Sequence, residues 1–491
     1  MKKKFFALIF CAYMIFISVF SVSAADVHSY TYTYDYWGNA QISPDGYTVS
    51  EIINGRSAGT TDFNSPEDIF IDEIGDIYVA DTGNNRIVII EQNGKVKKLL
   101  DTFKYNGEES HLDGPTGVFV NERGEILIAD RQNRRVVRSD QSGNILQIFT
   151  QPDAESEKDT VVFTGIDYLP EKVLEDQNGI VYVLCSDIYD GSLMYSPEGD
   201  FLGYYGANQT EVTISVVMNR FWRKFMTKEQ REKTSVYFPY QFNNFYIDKE
   251  GFIYTSTELS QTKTHQLKKL NAAGVNVLNS SSFISERYAE VYGDLKVRDA
   301  NGKTQQTFLT DVTVDERGFI TAVDYDRGHI FQYDENSNLL MVFGGLGEQN
   351  GYFEMISSIE NYGSKLYVLD RMKNNITVYD ETEYGKKLHN AVVKYNDSDY
   401  SSSENEWREI LNLNRNFNMA NSAIGKIYYE KGEWNKAMKY FKLAYDHPNY
   451  DKAYEKYRNE LAEKYFLPIA FSFVIGGIVI YGVIKIIKKT C

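Results

Sequence analysis

The stretch DIYVADTGNNRIVIIEQNGK, Asp76 to Lys95, returns 49 positions later as EILIADRQNRRVVRSDQSGN, Glu125 to Asn144. Each copy holds two runs of β-branched, aromatic and aliphatic residues split by a turn-forming cluster, and so reads as two strands and a turn. A further strand with a glycine turn precedes each copy, in SPEDIFIDEIGD (Ser65 to Asp76) and GPTGVFVNERGE (Gly114 to Glu125). A fourth strand follows, in KVKKLL and NILQIF. One four-stranded sheet of this size cannot bury its own faces, but a ring of them can. A four-strand unit repeating at this spacing therefore predicts a β-propeller.

Later stretches repeat the pattern from Tyr168, Phe242, Leu309 and Ile356, for six blades in all. The last, Ile356 to Glu381, has only three strands before the periodicity turns helical at Gly385. Tyr47 to Pro66 is similar to Asn338 to Ser357, a fourth strand plus the lead into the next blade. Residues Tyr47 to Asn54 are therefore expected to supply the missing outer strand of blade six and close the ring, removing two exposed sheet edges.

The order proline, apolar strand, glycine turn, second strand ending in Asp, then Asn and Arg, is carried by Pro66, Gly75, Asp81, Asn84 and Arg86. It returns in Pro115, Gly124, Asp130, Asn133 and Arg135. It resembles the NHL repeat of β-propellers. Later copies depart: the third places the region Cys185 to Asp187 where the first has Asp81, and the fourth lacks the proline. The resulting fold class is mainly β: a six-bladed β-propeller of NHL type over residues 26–385, interrupted by an insertion at 207–240.

After Gly385, Leu388, Ala391, Val392 and Tyr395 recur at helical intervals. A period of 34 then sets Trp434 on Tyr400, Phe441 on Trp407 and Ala444 on Ile410. That is the tetratricopeptide length, and Asn421 to Pro448 is similar to one such repeat, with Gly425, Tyr428, Ala437, Phe441 and Ala444 where two helices would touch. Residues 386–466 are read as a small tetratricopeptide-like block, which with two copies is expected to lean on the propeller or on a partner.

Both chain ends address a membrane. Three lysines, an apolar run and the small residues up to Ala25 make residues 1–25 a signal peptide, with an uncleaved anchor as the other reading. Leu467 to Ile484 holds no charge and is followed by Lys485, Lys488 and Lys489. This predicts a transmembrane helix over 467–487 with a cytoplasmic tail at 488–491 and the rest of the chain outside. The net charge is −16, and the part between the terminal lysines is more negative still, so nucleic acid is not an expected partner. Of three cysteines, Cys11 falls in the signal and Cys491 in the tail, leaving Cys185 without an intramolecular disulfide partner. An exported chain without a disulfide suggests the surface of a Gram-positive bacterium.

In the insertion, Thr227 followed by Gln230 is a capping-box start for a short helix. Upstream, Arg220, Trp222, Arg223 and Phe225 interleave basic and aromatic side chains. That stripe either packs the insertion onto the propeller or meets a partner or lipid surface, and it is the one candidate interaction patch. The arrangement of signal, propeller, helical repeats and C-terminal span is similar to membrane-anchored NHL proteins of Firmicutes. The resemblance implies association with sugar-type ABC importers and small multi-spanning membrane proteins, and the expected partner is a membrane or envelope protein. The aromatic run YTYTYDYWGN could stack on a glycan or fill half-buried strands.

No catalytic residue is assigned, and no metal or cofactor. His265 and His329 share the slot of Arg86 at the start of a third, outward-lying strand, a poor place for an axial metal. Asp81 with Arg86 and Asp130 with Arg135 read as turn-stabilising pairs. The enzymatic alternative is a gluconolactonase-like lactone hydrolase, in which carboxylates and asparagines from several blades hold calcium or zinc at the hub. Such enzymes open their first blade with Glu before Gly-Pro, where this chain has Asn64, Ser65 and Pro66. The leading expectation is a membrane-anchored, non-catalytic binding scaffold.

Overall fold

Alternation of apolar residues writes the strands, and one turn repeats between the first two of them. Asp72 accepts the N–H groups of Ile74 (3.1 Å) and Asp76 (2.9 Å) on Oδ1, the Asx geometry that short acidic side chains favour. Gly75 takes the left-handed conformation this turn needs, and Gly124, Gly179, Gly251 and Gly318 repeat it with φ between +74° and +87°.

The computed structural model describes residues 30–152, 167–188, 191–206, 242–257, 265–279, 288, 290–296 and 307–490. Blade 1 holds the strands Asp68–Ile71, Ile77–Asp81, Arg86–Ile90 and Val96–Leu100, in that order from the axis outwards. Blades 2 and 3 repeat it from Pro115–Val120 to Ile145–Phe149 and from Pro170–Glu175 to Phe201–Gly206. Among the described residues blade 4 has three strands, Phe242–Ile247, Ile253–Thr257 and Leu267–Leu270. The first strands touch neighbour to neighbour, and Ile356–Tyr362 of blade 6 meets Asp68–Ile71 of blade 1 to complete the ring. The fold is a six-bladed β-propeller.

Closure follows the reading of the repeat. Tyr47–Asn54 lies antiparallel on Asn375–Glu381, from Tyr47 opposite Glu381 to Asn54 opposite Asn375, so blade 6 takes its outer strand from the far end of the sequence. A second use of the N-terminal segment was not anticipated. Tyr32–Tyr34 and Ala40–Ile42 form a hairpin added to the outer edge of blade 5 (Leu309–Val314, Ile320–Asp324, His329–Tyr333 and Leu339–Gly344), with Tyr32 opposite Val342, giving a six-stranded sheet.

Beyond blade 6 run α1 (Glu383–Asn396), α2 (Tyr400–Leu413), α3 (Asn418–Glu430), α4 (Trp434–Leu443) and α5 (His447–Thr490). The starts of α2 and α4 are separated by the 34 residues of the periodicity. Gly425 on α3 lets the Phe441 ring of α4 approach: a Cβ there would lie 2.6 Å from it. The helices are not a separate body. Trp407, Ile424 and Phe441 belong to the same continuous core as Tyr47, Phe343, Phe353 and Tyr379 of blades 5 and 6. α5 leaves that core after Ala453 and runs largely exposed through Pro468 to Lys488, and it is long and apolar enough to cross a membrane.

Candidate functional site

The Asp–Asn–Arg motif turns out to be a staple. Arg86 donates Nε to Asp81 Oδ2 at 2.7 Å, Asn84 Nδ2 donates to the same oxygen at 2.9 Å, and Asp81 Oδ1 accepts the N–H of Asn64 at 2.7 Å. Blade 2 repeats this with Arg135, Asn133 and the N–H of Asp113 around Asp130, at 2.7, 2.9 and 2.7 Å. Both aspartates are fully buried. Each ties the end of a second strand to the lead-in loop of its own blade, so their carboxylates are spent on architecture.

Chemistry concentrates instead at the axis. The first strands of blades 2 to 6 each carry a bulge just after they begin, at Pro115/Gly117, Pro170/Lys172, Phe242/Asn244, Leu309/Asp311 and Ile356/Ser358. A bulge re-aims the side chain that follows it. Together with Asp68 of blade 1, this brings Lys172, Asn244, Asp311 and Ser358 to one hub, around a cavity of about 40 Å³ that Phe70, Phe119, Tyr246 and Glu360 continue. That volume suits a few water molecules or one ion. Gly117 occupies the remaining slot, where a Cβ would lie 2.9 Å from Lys172 Cα.

The hub is closed by its own charges. Lys172 Nζ lies 2.5 Å from Asp68 Oδ1, and the Lys172 side chain is 12% exposed. Ser358 Oγ is 3.1 Å from Asp68 Oδ1 and 2.8 Å from Asp311 Oδ2; Asn244 Nδ2 donates to Asp311 Oδ1. Backbone N–H groups of Val118 and Ile359 donate to Asp68 and Asp311 at 2.9 and 2.8 Å. Burial opposes the charge on Lys172, but Asp68 and Asp311 outweigh it and hold the ammonium above its ordinary pKa. Burial pushes Asp311 up to about 6, against the pull of Lys172. Burial, with Asp311 and Asp68 nearby, drives the Glu360 carboxyl well above its ordinary value. Oxygen donors from several blades do converge, but on an ammonium.

Residues 63–90 match the NHL repeat. They cover the lead-in and the first three strands of blade 1, including Asp81, Asn84 and Arg86. No curated protein matches the chain. Among solved structures, virginiamycin B lyase from Staphylococcus aureus is 9% identical, with a TM-score of 0.40, over 68% of this chain and 100% of that one. A protein described as a gluconolactonase is 13% identical, with a TM-score of 0.38, over 69% and 94%. The WD40 propeller domain of Doa1 is 11% identical, with a TM-score of 0.38, over 70% and 99%. At such identities the chemistry of those proteins does not transfer.

The patch Arg220, Trp222, Arg223 and Phe225, the helix start at Thr227 and the signal segment lie outside the described residues. Of the two slot histidines, His265 Nε2 sits 3.1 Å from Glu290 on the surface, while His329 Nδ1 faces Asp294 at 2.9 Å. Cys185 is buried, and burial pushes its thiol well above the ordinary value, so it is unreactive. Sequence reasoning missed the hub. Its signal was there: one position in the first strand of each blade that reads Asp, Gly, Lys, Asn, Asp and Ser, with an apolar residue directly after it in every blade.

Proposed function

We propose that the chain is a membrane-anchored, non-catalytic scaffold outside the cytoplasm, whose propeller and helices hold a membrane or envelope protein, such as a component of an ABC-type solute importer, or present an envelope glycan to it. The supporting observation is the hub. Lys172 fills, with its own positive charge, the place where an enzymatic propeller would need a free cation or substrate pocket. A shared core between propeller and helices supports the same reading, because it makes one rigid surface from two repeat types. Crosslinking of the full chain in intact membranes, followed by mass spectrometry, is expected to recover a transporter or envelope protein; recovery of none would count against the scaffold.

One observation favours a lactone hydrolase: Asp68, Asn244 and Asp311 reach the hub from three blades. It predicts δ-lactone turnover by the purified full chain with calcium or zinc, lost in Asp311→Asn. The scaffold reading predicts no turnover with either ion.

A further inference from the structure

Blade 5 breaks the staple. Asp324 stands in the slot of Asp81 and Asp130, but the residue five positions on is His329 where blades 1 and 2 have Arg86 and Arg135. His329 does not neutralise Asp324 in their manner. Its Nδ1 turns to Asp294, a carboxylate brought in by the segment 290–296 that has no counterpart in blades 1 and 2. Asp294 Oδ1 also accepts the hydroxyls of Tyr32 and Tyr34, at 2.6 and 2.7 Å, from the N-terminal hairpin.

The local charge count differs from the other blades. In blades 1 and 2 one buried carboxylate faces one guanidinium. Here two carboxylates have side chains 3% and 0% exposed; Arg327 Nη1 is 3.2 Å from Asp324 Oδ2, and among the described residues the ion-pair partner of Asp294 is His329. Buried carboxylates are paired or coordinate metals, and here two of them stand beside one imidazole. One ligand atom from each of Asp294, Asp324 and His329 lies within 4.8 Å of the other two. The Tyr32 hydroxyl is 3.3 Å from His329 Nδ1, and the His329 side chain remains 22% exposed, which leaves a way in.

We propose that Asp294, Asp324 and His329 form a divalent metal site at the rim of blade 5, which takes Zn²⁺ or Mn²⁺. One imidazole nitrogen with two carboxylates is a mixed donor set that suits borderline Zn²⁺, and accommodates Mn²⁺, better than Ca²⁺, which prefers six to eight oxygens. The ion would replace the guanidinium of the staple and pin the hairpin Tyr32–Ile42, through Asp294, to the propeller. The site is apart from the hub and does not rest on the scaffold reading.

The test uses the detergent-solubilised full chain, stripped with chelator and titrated calorimetrically with ZnCl₂, MnCl₂ and, for comparison, CaCl₂. One equivalent of Zn²⁺ or Mn²⁺ is expected, with a rise of several degrees in Tm. His329→Ala should weaken binding at least tenfold, while His265→Ala, in the matching slot of blade 4, should leave it intact. Asp324→Asn gives a second loss, and near-ultraviolet circular dichroism of each variant confirms that the fold survives. Absence of binding by the parent chain, binding undiminished in both His329→Ala and Asp324→Asn, or a preference for Ca²⁺ would each overturn the site.

Discussion

Two buried side chains decide how the molecule responds to charge. Lys172 compensates Asp68 and Asp311, so Lys172→Met leaves both carboxylates facing each other without a cation. Breaking a buried pair in this way costs about 3–5 kcal/mol; chemical denaturation should show a loss of that size, and Asp68→Asn added to it should restore part. His389 on α1 is fully buried, its ring 4.3 Å from Phe319, with Nδ1 against Glu381 and Nε2 2.7 Å from the Gln332 carboxamide. Burial holds its pKa below the ordinary value, while Glu381, which burial alone would raise, is kept low by His389 and Arg317. Nδ1 of the ring meets the Glu381 carboxylate and Nε2 meets Gln332 Oε1, while Gln332 Nε2 donates to the Tyr47 hydroxyl at 2.9 Å. In the unfolded chain the imidazole takes its proton near pH 6.5. His389 therefore contributes stability that is whole above about pH 6.5 and is lost as pH falls toward its lower folded value. Melting temperatures from pH 8 to 5 should fall more steeply for the parent than for His389→Gln; parallel curves would show that folding does not shift the His389 pKa.

At the scale of elements, the closing strand is the one the ring cannot spare. Tyr47–Asn54 satisfies the outer edge of blade 6, and Tyr47 enters the core shared with the helices. Deletion of residues 26–56 should abolish the cooperative unfolding transition, whereas a truncation that melts like the parent would refute closure as the source of stability. A milder test is Gly425→Ala, whose Cβ would press on Phe441; such overpacking costs about 1–3 kcal/mol and should appear in the denaturation midpoint. Why the ring was readable, and the hub was not, comes down to what repeats. Strands, glycine turns and the Asp81, Asn84, Arg86 staple recur because every blade needs the same backbone, so self-similarity exposes them. Asp68, Lys172, Asn244, Asp311 and Ser358 share a backbone position but no chemistry, and only the ring brings them together. The same holds for Tyr32, whose partners Val342 and Asp294 lie far along the chain, and for Asp294 beside His329. The slot of His329 was visible in the sequence; the second carboxylate was not.

The whole molecule is organised by α5. Its first turns belong to the helical core, and from Tyr454 to Phe466 the helix is largely exposed, with Tyr457 and Leu461 half-buried among charged residues. From Ala453, where it leaves the core, to Leu467 it rises about 21 Å at 1.5 Å per residue, which sets the distance from the propeller–helix core to the hydrocarbon if the helix stands upright. The apolar stretch from Leu467 to Ile484 has the length of a bilayer span, and Lys485 and Lys488 beyond it favour the cytoplasmic side. Cysteine labelling in intact cells tests this orientation, because Cys185 is buried and silent and Cys491 follows the last lysines. A membrane-impermeant maleimide should react with Ser142→Cys, on an exposed turn of blade 2, and should reach Cys491 only after the cells are permeabilised. Labelling of Cys491 from outside with Ser142→Cys protected would reverse the topology. The acidic propeller would then face the cytoplasm, and every partner proposed for it at the envelope would fall with it.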